Sequence, residues 1–170
     1  MDFFDFAEAW AVTRPDIQHI KGKDSKNKRY FLTLGFANMV DFLQTQTAKS
    51  SPSVIIESGV PISGKANEWT YKDYTIYFCV RSPQQLQTLD GAEARKCKKE
   101  AECLAQDFIH DAIAFNREFG KNGIQVENDF QIETFGPFFN WWYASQLSVR
   151  VGESPNVCKD NITNDILKNL

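Results

Sequence analysis

The sequence has few residues of the kinds that build catalytic and metal centres. It contains two histidines, His19 and His110, and four cysteines in 170 residues. No two cysteines have the Cys-x-x-Cys spacing of a zinc or redox site. The glycine-rich, zinc-protease and nucleophile motifs of common enzyme classes are also missing. We therefore predict no cofactor, no metal and no catalytic centre, and we expect both histidines to be structural or surface residues.

The sequence also lacks a strong excess of one charge and any long apolar run. Its formal net charge of −3 is too small to indicate a general nucleic-acid binder. No apolar stretch approaches the ~20 residues that a membrane span needs, so no membrane association is predicted. Residues 1–6 do not have the positive region of a signal peptide, which predicts a protein made and kept in a cytoplasm.

The cysteines are predicted to be reduced and buried, because a free thiol is among the most buried side chains of cytoplasmic proteins. Cys97 and Cys103 fall on one predicted helix at a spacing that puts them on different faces, too far apart for a disulfide. The other two cysteines are Cys79 and Cys158.

Aromatic side chains are what the sequence has in abundance. They make up 14% of the chain, including 14 phenylalanines, and the hydrophobic share is 42%, which excludes a disordered chain. The length fits one domain with a sizeable core. We predict a single domain over residues 1–152 and an extended, interacting C-terminal tail over residues 153–170.

Hydrophobic periodicity predicts a fold of the α+β class. Helices are expected over residues 2–13, 34–47 and 92–119, and strands over 54–56, 69–81, 129–135 and 141–151. Residues 16–30 are predicted to be a Lys-rich connector, and 59–67 a hairpin loop. Two β-hairpins flanking one long helix predict a four-stranded, largely antiparallel sheet, with helices mainly on one face and two of them N-terminal.

The strand over residues 69–81 has apolar side chains on both of its faces. One face carries Ile76, Phe78 and Val80, and the other carries Thr75, Tyr77 and Cys79. Because the second face is only half polar, we expect a helix or a neighbouring subunit to cover it.

Charged residues on the long helix have a structural interpretation beside a functional one. Asp107 and Asp111 have the spacing of a carboxylate pair, but no further ligand is identifiable, and a solvated helix face is predicted. A basic group nearby is interrupted by glutamates and is predicted to be an ordinary charged face. Contact with nucleic acid or with an acidic partner is the alternative for this group. Its residues are Arg95, Lys96, Lys98 and Lys99.

The segment 135–143 is the least ordinary part of the chain, since six of its nine residues are aromatic around a Gly-Pro turn. One interpretation is that these rings cap the core. The other, which we favour, is an interaction site, because aromatic side chains are enriched in interfaces. The candidate interface residues are Trp69, Tyr71, Phe138, Phe139, Trp141, Trp142 and Tyr143.

The order of these features resembles that of a family of virion proteins. The strings that carry the resemblance are DIQHI, PSVIIES, YTIYFCVR and NWWYASQLSVRVGE. Over residues 10–153 the chain resembles small proteins of tailed bacteriophages, of the tail-terminator and head–tail connector (neck ring) type. The pattern is similar to versions from phages and prophages of Bacteroidetes hosts, including crAss-like phages.

The resemblance implies a non-enzymatic structural protein of the virion, assembled in the host cytoplasm. It implies a homo-oligomeric ring of sixfold or twelvefold symmetry between portal and tail, with DNA passing through its lumen. Portal, adaptor or tail proteins would be its partners. The aromatic turn, the loop over residues 59–70 and the C-terminal tail would supply contacts.

Two other functions stay open from the sequence. One is a cytoplasmic module that binds a protein or a small ligand through the aromatic cluster. The other is an enzyme of unrecognised type, which would need the histidines or Asp107 and Asp111 to converge with other polar groups in a cleft.

Overall fold

The computed structural model describes residues 2–20, 29–45, 51–57, 62–65, 68–82, 91–138 and 141–155. The helices are α1 (Phe3–Thr13), α2 (Phe36–Thr45), α3 (Gly91–Ala114) and α4 (Asn116–Gly120). The strands are β1 (Tyr30–Thr33), β2 (Ser53–Glu57), β3 (Ile62–Ser63), β4 (Thr70–Arg81), β5 (Ile124–Phe135) and β6 (Trp142–Glu153). The fold is α+β, as the hydrophobic periodicity predicts.

The strands form one mixed sheet in the order β1-β2-β4-β6-β5, with β3 paired to the beginning of β4. The central pair is β4 with β6, whose antiparallel register runs without interruption from Thr70 opposite Glu153 to Arg81 opposite Trp142. Both strands are rich in aromatic and β-branched residues, which favour a pleated and buried surface. Of the described strand pairs, β1 with β2 is the parallel one.

The first core lies between one face of the sheet and helices α1 and α3. It contains Tyr74, Ile76, Phe78 and Val80 of β4, so the predicted alternation of this strand is confirmed. Aromatic rings from the helices pack directly on these side chains. The ring centroids of Phe3 and Tyr74 are 4.5 Å apart. Those of Phe78 and Phe108 are 5.5 Å apart, and those of Trp10 and Phe108 are 5.1 Å apart.

The second core lies on the other face of the sheet, under α2. It joins Met39 and Leu43 of α2 to Ile55, Tyr77, Cys79, Trp142 and Ala144 of the sheet. The expectation that a helix or a subunit covers this face of β4 is thereby confirmed, and the cover is a helix of the same chain. Helices therefore lie on both faces, whereas the sequence predicted them mainly on one.

Helix α1 begins and ends where local sequence signals place its ends. The Asp2 carboxylate accepts a hydrogen bond of 2.7 Å from the Asp5 amide, and the Asp5 carboxylate accepts one from the Asp2 amide. This reciprocal cap satisfies amides that the first helical turn leaves free. The backbone of Arg14 is extended, as expected for a residue before proline, and the helix ends at Thr13.

The predicted number of four strands is wrong, because the described residues form a mixed sheet of six strands. The prediction of a largely antiparallel sheet is confirmed, since four of the five strand pairs are antiparallel. Strand β1 lies at the end of the predicted Lys-rich connector, between α1 and α2. Its residues Tyr30, Phe31 and Leu32 are good strand formers, a signal hidden by the lysines before them. Strand β5 begins at Ile124, earlier than predicted, because Ile124 and Val126 are both buried in the first core.

The predicted long helix is divided into α3 and α4 at Phe115. The division lets Phe115 and Phe119 both pack against Phe6, with centroid distances of 5.2 and 5.1 Å. Residues 156–170 are outside the described residues, so the interacting tail stays a prediction. Of the predicted loop over 59–67 the structure describes residues 62–65, and there the prediction is wrong in part, because Ile62–Ser63 form β3 on the edge of β4.

Phe108 is the residue of α3 that we expect to matter most for stability, since it contacts α1 and β4 together. Phe108→Ala should lower the free energy of unfolding by about 3–5 kcal/mol, because it leaves a cavity in the first core. Gln106→Ala, on the exposed side of the same helix, should change it by less than about 0.5 kcal/mol. Urea denaturation followed by circular dichroism measures both, and equal losses would contradict this account of the core.

Candidate interaction surfaces

The aromatic segment forms the hairpin turn between β5 and β6. The Phe138 amide donates to the Trp142 carbonyl at 2.8 Å, and the Trp141 amide donates to the Phe138 carbonyl at 3.1 Å. Gly136 has a φ of +121°, and a Cβ there would lie 2.8 Å from the Trp142 carbonyl oxygen. The turn therefore requires glycine at this position, and the predicted Gly-Pro turn is confirmed.

Two of the predicted interface residues belong to the core instead. Trp142 is fully buried in the second core, under α2, and Tyr143 is buried in the first core, facing α3. Successive residues of a strand point to opposite faces, and both faces are covered at this point of β6. The structure thus assigns Trp142 and Tyr143 to stabilising the chain itself.

The other residues of the aromatic segment are less buried. Phe138 packs against the second core, with its ring centroid 5.8 Å from that of Phe36 and 5.2 Å from that of Phe135. Trp141 is half-buried at the turn, and Phe139 lies outside the described residues.

Trp69 and Tyr71 lie at the opposite end of the sheet from this turn. They pack over Gly152 of β6, where an added Cβ would lie 3.0 Å from the Trp69 ring and 3.3 Å from the Tyr71 ring. Trp69 is exposed and Tyr71 half-buried. The structure therefore separates the six candidate residues that it describes into two distant groups and does not join them into one surface.

An exposed apolar surface that the sequence predictions missed lies where β1 leads into α2. We call Leu32 and Leu34, which line one groove, the apolar strip. Leu32 is 60% exposed and Leu34 is 77% exposed. The spacing of every second apolar residue is typical of a strand. The pattern was missed because these residues fall at the boundary between a predicted connector and a predicted helix. A groove of about 300 Å³ adjoins the strip, lined by Phe31, Leu32, Thr33, Leu34, Asn38, Phe42 and Ile55.

The basic group lies on the first turns of α3. Arg95, Lys96 and Lys99 are exposed, and Lys98 is half-buried. The Arg95 guanidinium donates through Nε to the Gly91 carbonyl at 2.9 Å, so this side chain lies along its own helix. The group occupies a helix face that the sheet does not cover, as predicted for a charged face.

Asp107 and Asp111 connect two helices, which a simple solvated face would not do. Asp111 accepts a hydrogen bond from the Trp10 indole Nε1 at 2.8 Å, and Asp107 pairs with Arg14 at 2.7 Å. Both carboxylates therefore hold α1 on α3. The guanidinium of Arg14 also lies 5.2 Å from the centre of the Trp10 ring, which adds a cation–π contact.

The histidines lie in different surroundings. His19 is buried, its Nδ1 accepts the Arg29 amide hydrogen bond at 3.1 Å, and its Nε2 lies 3.5 Å from a Glu8 carboxylate oxygen. Nδ1 is therefore the unprotonated nitrogen, and His19 links the end of α1 to the beginning of β1. His110 is exposed on α3.

Within the described ranges, no group of three or more His, Cys, Asp or Glu side chains is arranged to hold a metal ion. None of the described helices is long and apolar enough to cross a membrane. Neither the known protein-family models nor the curated proteins include a match to this chain.

The cysteines differ in burial and therefore in thiol chemistry. Cys79 and Cys97 are buried, whereas Cys103 is exposed, so the prediction of burial is wrong for Cys103. Cys158 lies outside the described residues. Burial raises the pKa of the Cys79 thiol far above its usual value. Burial, with the nearby Glu93 carboxylate, raises the pKa of the Cys97 thiol to about 11.

Of the three cysteines that the structure describes, only Cys103 is exposed, and the raised pKa values of Cys79 and Cys97 predict that these two react slowly with a thiol reagent, since the thiolate is the reactive form. In a Cys158→Ser variant at a pH of about 8, Ellman's reagent should label one thiol in the folded protein and three after denaturation. Fast labelling of Cys79 or Cys97 in the folded protein would contradict the burial of these side chains.

The burial of Trp142 predicts that its loss affects folding. Trp142→Ala should lower the free energy of unfolding by about 3–5 kcal/mol, as for a large aromatic removed from a packed core. Trp69→Ala, at an exposed position, should cost less than about 1 kcal/mol. Urea unfolding measures both. A Trp142→Ala protein that is as stable as the parent but defective in assembly would contradict the core role of Trp142 and support the interface role predicted from the sequence.

Proposed function

We propose that the chain is a non-enzymatic structural protein of a tailed-phage virion. It forms a homo-oligomeric ring in the head–tail connector or tail, of the tail-terminator type, through which DNA passes. The resemblance over residues 10–153 is one support. The observation on the folded chain that supports the proposal best is the apolar strip, an exposed set of large side chains beside an outer strand of the sheet.

The strip is the kind of surface that association covers. Burying a leucine side chain contributes about 1.5–3 kcal/mol relative to leaving it in water, so Leu32 and Leu34 together make association favourable by several kcal/mol before its entropic cost. Leu32 of the strip belongs to β1, an outer strand of the sheet. The opposite outer strand, β5, carries three carboxylates and no Lys or Arg. Unlike edges favour head-to-tail contacts, and such contacts close into rings when the rotation between subunits allows it.

The remaining parts of the proposal concern neighbours and the lumen. Portal, adaptor or tail proteins are the partners above and below the ring. The basic group on α3 is the surface that we assign to weak contact with DNA, because Arg95, Lys96 and Lys99 are exposed cations that can approach phosphates. The glutamates between them keep that contact weak, as passage of DNA requires.

A module that binds a protein segment or small ligand is the second candidate. The groove of about 300 Å³ beside the apolar strip favours it, because its walls include Phe31 and Phe42. Concave apolar sites of this size accept small ligands or single anchoring side chains. The two candidates differ in oligomeric state, so one measurement separates them.

Multi-angle light scattering across a range of concentrations tests the ring. The parent protein should form a closed oligomer of constant mass, alone or mixed with the proteins encoded beside it. Leu34→Asp should shift it toward the monomer, because a carboxylate placed in a buried apolar contact is costly. Ile62→Asp is the matched control, since Ile62 is also an exposed apolar residue, at 67%, but lies on β3.

A parent protein that stays monomeric at every concentration and with every neighbour would overturn the ring. If the Leu34→Asp variant assembles as well as Ile62→Asp, the apolar strip is not part of the contact between subunits and no longer supports the proposed ring.

A further inference from the structure

Strand β5 is an outermost strand of the sheet, and part of its outer edge is open. It pairs with β6 on one side, and no strand of the described ranges pairs with it on the other. Residues 128–131 are exposed, and Phe130 is 38% exposed. An open outer strand offers its backbone N–H and C=O groups to a further strand unless a side chain or a bulge blocks them.

A side chain blocks the beginning of this edge. The Val126 amide donates to Asn116 Oδ1 at 2.7 Å, and Asn116 Nδ2 donates to the Val126 carbonyl at 2.8 Å. Asn116 thus satisfies the outward backbone groups of Val126 as a neighbouring strand would. A bulge between Val126 and Phe130 then interrupts the register, so the regular open edge runs from Phe130 to Phe135.

The register shows which backbone groups of this open edge point away from β6. Gly123 and Ser154 form a hydrogen-bonded pair, since the Ser154 amide donates to the Gly123 carbonyl at 2.7 Å. Along an antiparallel ladder such pairs alternate with pairs whose backbone groups point outward. Odd-numbered residues of β6 therefore bond to β4, and their partners on β5 direct their N–H and C=O groups outward. On the open edge these partners are Phe130, Ile132 and Thr134.

The two faces of this edge differ in chemistry. The side chains of Phe130 and Ile132 lie on the face of the first core, and Ile132 packs against that core. Gln131 and Glu133 alternate with them, so they lie on the other face, and both are exposed. A strand that adds here therefore meets apolar side chains on one face and polar, acidic side chains on the other.

An acidic groove of about 520 Å³ adjoins the edge at the bulge. Its walls include Asp73, Glu127, Asp129 and Arg150, and Gln131 lines it as well, so the groove opens on the polar face. Arg150 already has a partner, because its Nε lies 2.7 Å from Asp73 Oδ1. None of the ion pairs between described residues includes a carboxylate of β5. The groove and the strand beside it therefore carry unneutralised negative charge, which a cationic side chain complements.

Charge and composition identify the kind of strand that this edge accepts. Two copies of β5 would bring carboxylates together, and like charges side by side disfavour pairing. Among the described strands, β1 and β3 also pair on one side only, and neither contains Lys or Arg. The described outer strands of a second copy therefore offer no cation to this edge. A strand of a different protein, in which apolar residues alternate with Lys or Arg, matches both of its faces.

We propose that β5 binds an extended segment of a partner protein by strand addition, with Lys or Arg side chains on the acidic face and apolar side chains beside Phe130 and Ile132. The segment lies antiparallel to β5, the more stable arrangement, along Phe130–Phe135. Its backbone bonds to the outward groups of β5, and a cationic side chain enters the acidic groove. The contact lies on the opposite side of the sheet from the apolar strip, so it does not depend on the proposed ring.

Peptide binding to the full-length protein tests the strand addition. The probe is a fluorescein-labelled peptide in which Val alternates with Lys, and fluorescence anisotropy measures its Kd. In the antiparallel pair the residues opposite Phe130 and Ile132 are valines, so the valine amides face β5 and the lysine amides face away. N-methylation of the valine amides should weaken binding about tenfold or more, and N-methylation of as many lysine amides should change it less than about twofold. Equal affinities of the two methylated peptides would overturn the strand addition.

Removal of carboxylates tests the chemistry of the partner. Asp129→Asn with Glu133→Gln should weaken binding of the Val-Lys peptide about tenfold, because the cations lose the charges that they face. Asp41→Asn with Glu102→Gln is the matched control, since it removes two carboxylates from exposed positions on helices and should leave the affinity unchanged. Equal losses in the two variants, or equally tight binding of a Val-Glu peptide to the parent protein, would overturn the cationic partner.

Discussion

The uninterrupted pairing of β4 with β6 is the constraint on which the rest of the structure depends. Both strands are buried on two faces along much of their length, so the fold needs cover on both sides of the sheet. Helices α1 and α3 cover one face, and α2 covers the other. Because a strand alternates its side chains, adjacent residues such as Trp142 and Tyr143 enter two different cores.

Polar side chains that could have served chemistry are used to hold this arrangement together. Asp107 and Asp111 fix α1 on α3 through Arg14 and Trp10, and His19 connects α1 to β1. Each of these side chains makes a hydrogen bond to a polar group that packing has partly removed from water. The polar group therefore keeps a partner, and the free-energy cost of leaving it unpaired is avoided. The contacts that these side chains make are thus accounted for by the packing of the secondary-structure elements.

The helices cover the central strands of the sheet but leave parts of its outer strands exposed. These exposed parts are the surfaces available for association. Asn116 protects the first part of the β5 edge, and a bulge follows it. After the bulge the strand carries the exposed Phe130 and the carboxylate of Glu133, while Glu127 and Asp129 lie in the bulge itself. The β1 side combines exposed leucines with a preceding basic segment. The ring proposed above would cover surfaces of this kind through head-to-tail contacts between identical subunits.

Local sequence determined the elements whose signals are short-range. The capping aspartates and Pro15 set the ends of α1, alternation set the faces of β4 and β6, and Gly136 set the hairpin turn. Only the tertiary structure decided that β1 joins the sheet parallel to β2, that α2 buries Trp142, and that Leu32 and Leu34 stay exposed. Periodicity specifies that a strand has two faces, but whether a face is covered depends on helices distant in the chain. The aromatic segment was therefore recognisable from its composition, while its burial followed from long-range packing that no local pattern encodes.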